Sequence, residues 1–338
     1  MSTLSDTSQR PSPSAFPCLL ADIGGTNARF GWVAEAGSRV QQVRTLAVAD
    51  YPSLADAART YLAMRASESR SAGATAPRRA AFAVATPLSG DVVAFTNSPW
   101  SFSRQAVSDA LGLEALLVLN DFEALAMSLP RLAPAQVRSD RPLQLPASGT
   151  LAVIGPGTGL GVGAVVQTTH GWVALPGEGG HATLAPADDF ESAVLAQVRC
   201  HYDHVSAERL LSGIGLPMLH QAACAVAGQA SAANSAQDIV EFGLAGSDPA
   251  CSQTLDLFCA LLGGFAGSVA LILGARGGVY IGGGIVPRLG ERFFASSFRD
   301  RFEAKGRFRD YLKAIPTPLI TDTLAALTGT ALALEQLG

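Results

Sequence analysis

Charge is scarce in this chain: Asp, Glu, Lys and Arg make up 15% of its 338 residues and sum to a formal −4. Gripping duplex nucleic acid requires cations that neutralise phosphates, so this balance excludes a protein organised around that task. The most basic stretch, 299–313, is interleaved with Asp300, Glu303 and Asp310 and reads as a solvated helix face. Cysteine is sparse too. Cys18, Cys200, Cys224, Cys251 and Cys259 are odd in number and scattered, with no CxxC pair. That fits a reduced, cytoplasmic protein with buried thiols better than a disulfide frame or a zinc module. Cys200, His201, Asp203 and His204 lie close in sequence, but no second ligand set stands at zinc spacing. No run of about 18 apolar residues that would cross a bilayer is read from the sequence, and no membrane partner is expected. Residues 1–17 are rich in Ser and Pro and lack an apolar signal core, so a disordered tail is expected there.

Apolar residues, by contrast, make up 48% of the chain, enough for well-buried sheets, and the length favours two domains. Leu19-Leu20-Ala21 leads through a glycine turn, Asp22-Ile23-Gly24-Gly25-Thr26-Asn27-Ala28-Arg29, into a second strand. Helical periodicity follows over 53–66, short strands over 80–85 and 91–96, and another over 116–119. Phe122, Leu125 and Leu129 mark a helix face that Pro130 ends. After a Pro-rich stretch, Leu151-Ala152-Val153-Ile154 opens a second strand, glycine turn and strand, with a later strand at 278–281. The repeated scheme suggests two α/β domains with a cleft between them: 18–131 plus 322–338 as the smaller, 132–321 as the larger.

The chemistry sits at the turns. Gly24, Gly25, Thr26 and Asn27 can bring backbone N–H groups and small donors to a phosphate, and Asp22 could hold Mg²⁺ through water. Gly159-x-Gly161-x-x-Ala164 matches a dinucleotide fingerprint, but two β-type runs around His170-Gly171 follow where that motif needs a helix. A nicotinamide site therefore fails on context, and Gly157, Thr158 and Gly159 remain as a phosphate-cradling hairpin. Asn120-Asp121 lies between a strand and a helix, where ligands gather in open α/β sheets. Either residue could be a plain N-cap, yet two side by side exceed what capping needs. The helix N-terminus should keep Asp121 ionised. In Pro176-Gly177-Glu178-Gly179-Gly180-His181 the glycines argue for a loop wrapped around a polyol. Glu208 is a third acidic candidate, and also a plausible helix-surface partner. Gly282-Gly283-Gly284 follows a strand and could admit a flat adenine ring.

Together these motifs resemble the bacterial glucokinase family, within the actin, hexokinase and chaperone ATPase superfamily. The likeness runs in order through Asp22–Arg29, Leu119–Phe122, Gly157–Gly161, Pro176–His181, Ser206–Gly213 and Gly282–Arg288. It implies two ribonuclease H-like domains flanking a glucose-binding cleft, ATP as phosphate donor, and a homodimer. By position, Asn97, Asn120, Asp121, Glu178, His181 and Glu208 would contact the sugar, with Asp121 as the base. Gly24, Gly25 and 157–159 would hold the ATP phosphates, with Gly283 and Gly284 near the adenosine. The glycine-rich turn common before the last helix is replaced here by Asp322-Thr323-Leu324-Ala325-Ala326-Leu327. A sister group of sugar kinases and repressors carries a CxCGxxGC zinc loop, and no such run follows His181 here. A nucleotide-driven scaffold of the same superfamily would need the phosphate turns but not Glu178, His181 or Glu208.

Overall fold

The computed structural model describes residues 16–68, 76–88, 90–95, 98–143 and 148–337. Almost all of the tail at 1–17, and Asn97, lie outside the described residues. The chain divides into two compact units, Met1–Arg131 with Val165–Pro176 and Thr323–Gly338, and Leu132–Ala164 with Gly177–Asp322.

Unit 1 is built on a sheet of β1 (Cys18–Ile23), β2 (Asn27–Val33), β3 (Gln41–Ala47), β4 (Arg79–Val84) and, after the small hairpin β5 (Val92–Ala94) and β6 (Ser101–Ser103), β7 (Ala115–Asn120). Its order is β3-β2-β1-β4-β7, with β1 to β3 antiparallel and β4 and β7 parallel to β1. The strand β1 is apolar on both faces because both are covered. Leu19, Ala21 and Ile23 pack with Leu54, Ala57 and Tyr61 of α1 (Leu54–Glu68), while Cys18 and Leu20 pack with Leu327, Ala331 and Leu334 of the C-terminal helix Ala325–Glu335. The same alternation puts Asp22 on the face of the C-terminal helix, where β1 runs out. Two further helices, α2 (Arg104–Leu111) and α3 (Asp121–Ser128), each follow a strand directly.

Unit 2 carries β8 (Val137–Arg138), β9 (Thr150–Pro156), the start of β10 (Leu160–Thr168), β12 (Gly278–Ile281) and β13 (Leu319–Ile320). The full sheet also includes β11 (Gly171–Leu175), in the order β11-β10-β9-β12-β13-β8. Parallel pairing sets Ile154 of β9 opposite Ile281 of β12. Past Ala164, β10 runs into its hairpin with β11, and Val165–Pro176 counts with unit 1, whereas the sequence reading kept all of 132–321 together. There the Trp172 N–H donates to Gln336 Oε1 at 2.6 Å, and Gln336 Nε2 donates to the Trp172 carbonyl at 2.8 Å.

The helices of unit 2 are α4 (Asp189–Arg199), α5 (Leu216–Ala227), α6 (Ala236–Ala245), α7 (Pro249–Leu273) and four short ones, α8 to α11, between 286 and 313. The chain is uncharged from 257 to 275, which corrects the reading that no such apolar run exists. By length and composition α7 could cross a membrane, yet 67% of its most apolar window is buried within the protein. Burial in the core of unit 2 accounts for its composition. The basic stretch 299–313 is likewise more than a solvated face. Arg299 is buried, pairs with Glu303 at 2.7 Å, and donates to the carbonyls of Leu312, Lys313 and Ile315. Glu191 is 2% exposed, paired with Arg301, and accepts the Ala187 N–H at 2.6 Å.

Candidate active site

In unit 1 three parallel strands end level with one another: Ile23 pairs with Val84, and Val84 with Asn120. The first glycine turn, Ala85-Thr86 and the start of α3 therefore lie side by side at the carboxyl edge of the sheet. The turn is closed by Gly24 N–H to the Asn27 carbonyl and tied to its neighbour by Val48 N–H to the Thr26 carbonyl, both 2.9 Å. Thr26 and Asn27 are exposed. A Cβ at Gly24 would meet only the Asn27 carbonyl, at an ordinary 3.6 Å.

Asn120 is the cap. Its Oδ1 accepts the Phe122 N–H at 2.9 Å, its own N–H donates to Glu123 Oε2 at 3.4 Å, and its Nδ2 reaches the Thr86 carbonyl at 3.4 Å. With the cap supplied, Asp121 is a part-buried carboxylate at the first helical position, accepting the Phe122 N–H at 2.9 Å. Burial pushes its pKa up to about 6, with the Asp22 charge adding to the rise and the Phe122 N–H and Asn120 side chain opposing it. The helix N-terminus favours the anion, but desolvation outweighs it. Asp121 is still roughly nine-tenths ionised at pH 7. Burial also raises the Asp22 pKa, against the Arg29 guanidinium 3.3 Å away.

In unit 2 the hairpin of β9 and β10 turns at Gly157-Thr158-Gly159, closed by Gly157 N–H to the Gly159 carbonyl at 2.8 Å. A strand, not a helix, follows, so the dinucleotide fingerprint lacks its structural context. The loop carrying Glu178 and His181 makes one tight helical turn, with His181 N–H donating to the Glu178 carbonyl at 3.0 Å. It lies flat on β10 because residue 180 is glycine: a Cβ there would sit 2.0 Å from the Leu160 carbonyl. Glu208 N–H donates to the Gly180 carbonyl at 2.9 Å, and His181 Nδ1 stands 3.9 Å from Glu208 Oε1. Glu178 and His181 are exposed. Gly283 has φ +76°, and its missing Cβ makes room for the Pro156 carbonyl 2.2 Å away, which seats the 282–284 turn beside the hairpin. Around Gly157 and Gly284 nothing lies within 4 Å of a Cβ. The fold itself gives no reason for glycine at 24, 157 or 284; a ligand that needs bare backbone would.

Asp22, Gly24, Gly25, Thr26, Asn27, Asn120 and Asp121 thus share one sheet edge in unit 1. Gly157, Thr158, Gly159, Glu178, His181, Glu208, Gly283 and Gly284 gather around one hairpin in unit 2. The sequence reading missed Arg29 as the partner of Asp22 and Thr86 as the partner of Asn120. It also missed the clamp on the hairpin from 208–214, although Gly213 signals it: a Cβ there would crowd the Gly157 carbonyl at 3.1 Å.

Known structures share this fold. A glucokinase from an Antarctic psychrotroph superposes with a TM-score of 0.86 at 36% identity, covering 94% of this chain and 98% of that one. A ROK-family glucokinase from Streptomyces griseus, in complex with glucose and AMPPNP, shares the fold at 20% identity and a TM-score of 0.57, covering 94% of this chain and 98% of its own. The fold and these likenesses define an α/β sugar kinase. The Glucokinase family model matches residues 19–337, and a glucokinase from Chromobacterium violaceum is 50% identical over 322 residues, 94% of this chain and 89% of that protein. The chain belongs to the glucokinase family.

Proposed function

We propose that the chain transfers the γ-phosphoryl group of ATP to the 6-hydroxyl of glucose, giving glucose 6-phosphate and ADP. The observation that carries the reading is Asp121, a part-buried carboxylate next to the Asn120 cap and level with an open glycine turn. Asp121 takes the proton of the 6-hydroxyl as the O6–P bond forms and the bond from phosphorus to the ADP oxygen breaks. Its pKa near 6 leaves it charged at neutral pH and basic enough to accept that proton. Glu178, His181 and Glu208, with Asn120 and Asn97, take the other sugar hydroxyls. The bare backbones of Gly24, Gly25 and 157–159, with Thr26 and Asn27, hold the phosphates, and Gly283 and Gly284 receive the adenosine. The relative crystallised with glucose and AMPPNP supports this pairing of substrates.

Mg²⁺ is implied by phosphoryl transfer. No group of three or more His, Cys, Asp or Glu among the described residues could hold a metal by itself. Asp22, whose Oδ2 accepts from Arg29, would hold such an ion through water, with the nucleotide phosphates supplying most of its other contacts. When bound, the ion neutralises charge developing on the transferred group. The reading extends to ribonuclease H-like units, supported in unit 1 by the order β3-β2-β1-β4-β7. It also extends to a cytoplasmic homodimer at the first step of glycolysis. A coupled assay with ATP, Mg²⁺ and a panel of hexoses tests it. Glucose-dependent ADP release with glucose 6-phosphate as product is expected; ADP release indifferent to sugar would point instead to a scaffold ATPase.

A further inference from the structure

A carboxylate one residue away from a phosphate turn is a liability, because it repels the anion the turn is built to receive. Glu208 is such a group. Its Oε2 accepts the Leu160 N–H at 2.9 Å, immediately after Gly157-Thr158-Gly159. The fold has made room for it: a Cβ at Gly159 would lie 2.5 Å from that oxygen. A side chain at 159 would displace the carboxylate from this position, whereas Gly157 stands open. The segment that follows Glu208 holds the rest of the turn. Gly213 N–H donates to the Gly157 carbonyl at 2.7 Å and Ile214 N–H to the Thr158 carbonyl at 3.3 Å. Ser212 Oγ ties the segment back on itself by donating to the Glu208 carbonyl at 2.7 Å. The other carboxylate oxygen, Oε1, faces the loop of Glu178 and His181, 3.9 Å from His181 Nδ1, and the side chain is 34% exposed.

We infer that Glu208 couples the two sub-sites of unit 2: one oxygen anchors the phosphate turn and the other serves the sugar, so sugar binding raises the affinity for nucleotide. The inference rests on the proposed glucose and ATP sites. A sugar hydroxyl that donates to Oε1 disperses the carboxylate charge and weakens its repulsion of the phosphates. The anchor and the charge are separable. In Glu208→Gln the amide oxygen can still accept the Leu160 N–H while the charge is gone; in Glu208→Met both are lost.

Calorimetric titration of the full chain with AMPPNP and Mg²⁺, with and without saturating glucose, reads the coupling. The native protein should bind AMPPNP more tightly with glucose present. Glu208→Gln should bind it without glucose at least as well as the native protein does, and should lose the glucose-dependent gain. Glu208→Met should bind AMPPNP roughly tenfold more weakly, with or without sugar. Gly159→Ala, which displaces the carboxylate while keeping its charge, should weaken AMPPNP as Glu208→Met does, and serves if Glu208→Met does not fold. A glucose-dependent gain that survives in Glu208→Gln, or native AMPPNP affinity in both Glu208→Met and Gly159→Ala, would overturn the coupling. Glu178→Gln separates this from the sugar-site reading. An unchanged glucose KM in that variant would sink the sugar assignment, while the Gln and Met contrast in sugar-free AMPPNP binding would still report on the anchor.

Discussion

Replacing Asp121 by Asn should make the protein more stable and nearly inactive. The Asp121 pKa is raised from 3.8 to about 6, a difference worth roughly 3 kcal/mol. Because the folded value lies above the unfolded one, the unfolded chain releases this proton first. Folding is therefore penalised above pH 6, and the penalty fades as pH falls from 6 to 4. Asn carries no charge and can still accept the Phe122 N–H through its Oδ1. Urea denaturation at pH 8 should show Asp121→Asn more stable by up to about 3 kcal/mol, shrinking to nothing near pH 4. Turnover should fall by roughly 10²- to 10⁴-fold, as expected when a general base is removed, with glucose KM little changed. The native kcat/KM should rise about tenfold per pH unit below pH 6 and level off by pH 7. A variant no more stable than the native protein at pH 8, or with turnover within tenfold of it, would refute the argument.

Gly180→Ala pushes a Cβ into the Leu160 carbonyl, 2.0 Å away, and should lift the loop of Glu178 and His181 off β10. Steady-state kinetics should show kcat/KM for glucose falling on the order of 100-fold, with AMPPNP binding less affected. Arg301→Met strips Glu191, 2% exposed, of its ion pair. Chemical denaturation should register a loss of about 3–5 kcal/mol, and a loss below about 1 kcal/mol would mean that water or Lys305 takes over the carboxylate.

Much of unit 1 was legible because local signals agree there. The apolar run at β1, the strand before Asn120 and the face of Phe122, Leu125 and Leu129 each carry one period, and the elements form near those bounds. The hairpin around His170-Gly171 was equally plain, since β-type runs flank a turn. What stayed hidden depended on partners far away in sequence. The pKa of Asp121 is set by burial, which no local pattern reports. The run of α7 was overlooked because Gly263, Gly264, Gly267 and Ser268 break its apolar look, though none carries charge. Arg299 looked solvated because its partners are carbonyls 13 to 16 residues on. In the candidate site the glycine motifs announced turns, but which glycine serves the fold and which a ligand became visible only when each missing Cβ had neighbours.

The C-terminal helix that covers β1 also orders events on the ribosome. Every element of unit 2 has been made by Asp322, whereas the sheet of unit 1 lacks its cover over Cys18 and Leu20 until residues 325–335 emerge. Strand β1 waits through the synthesis of all of unit 2 for that cover. Unit 2 can fold during synthesis while unit 1, its hydrophobic face open, is the part of the nascent chain that chaperones have most reason to shield.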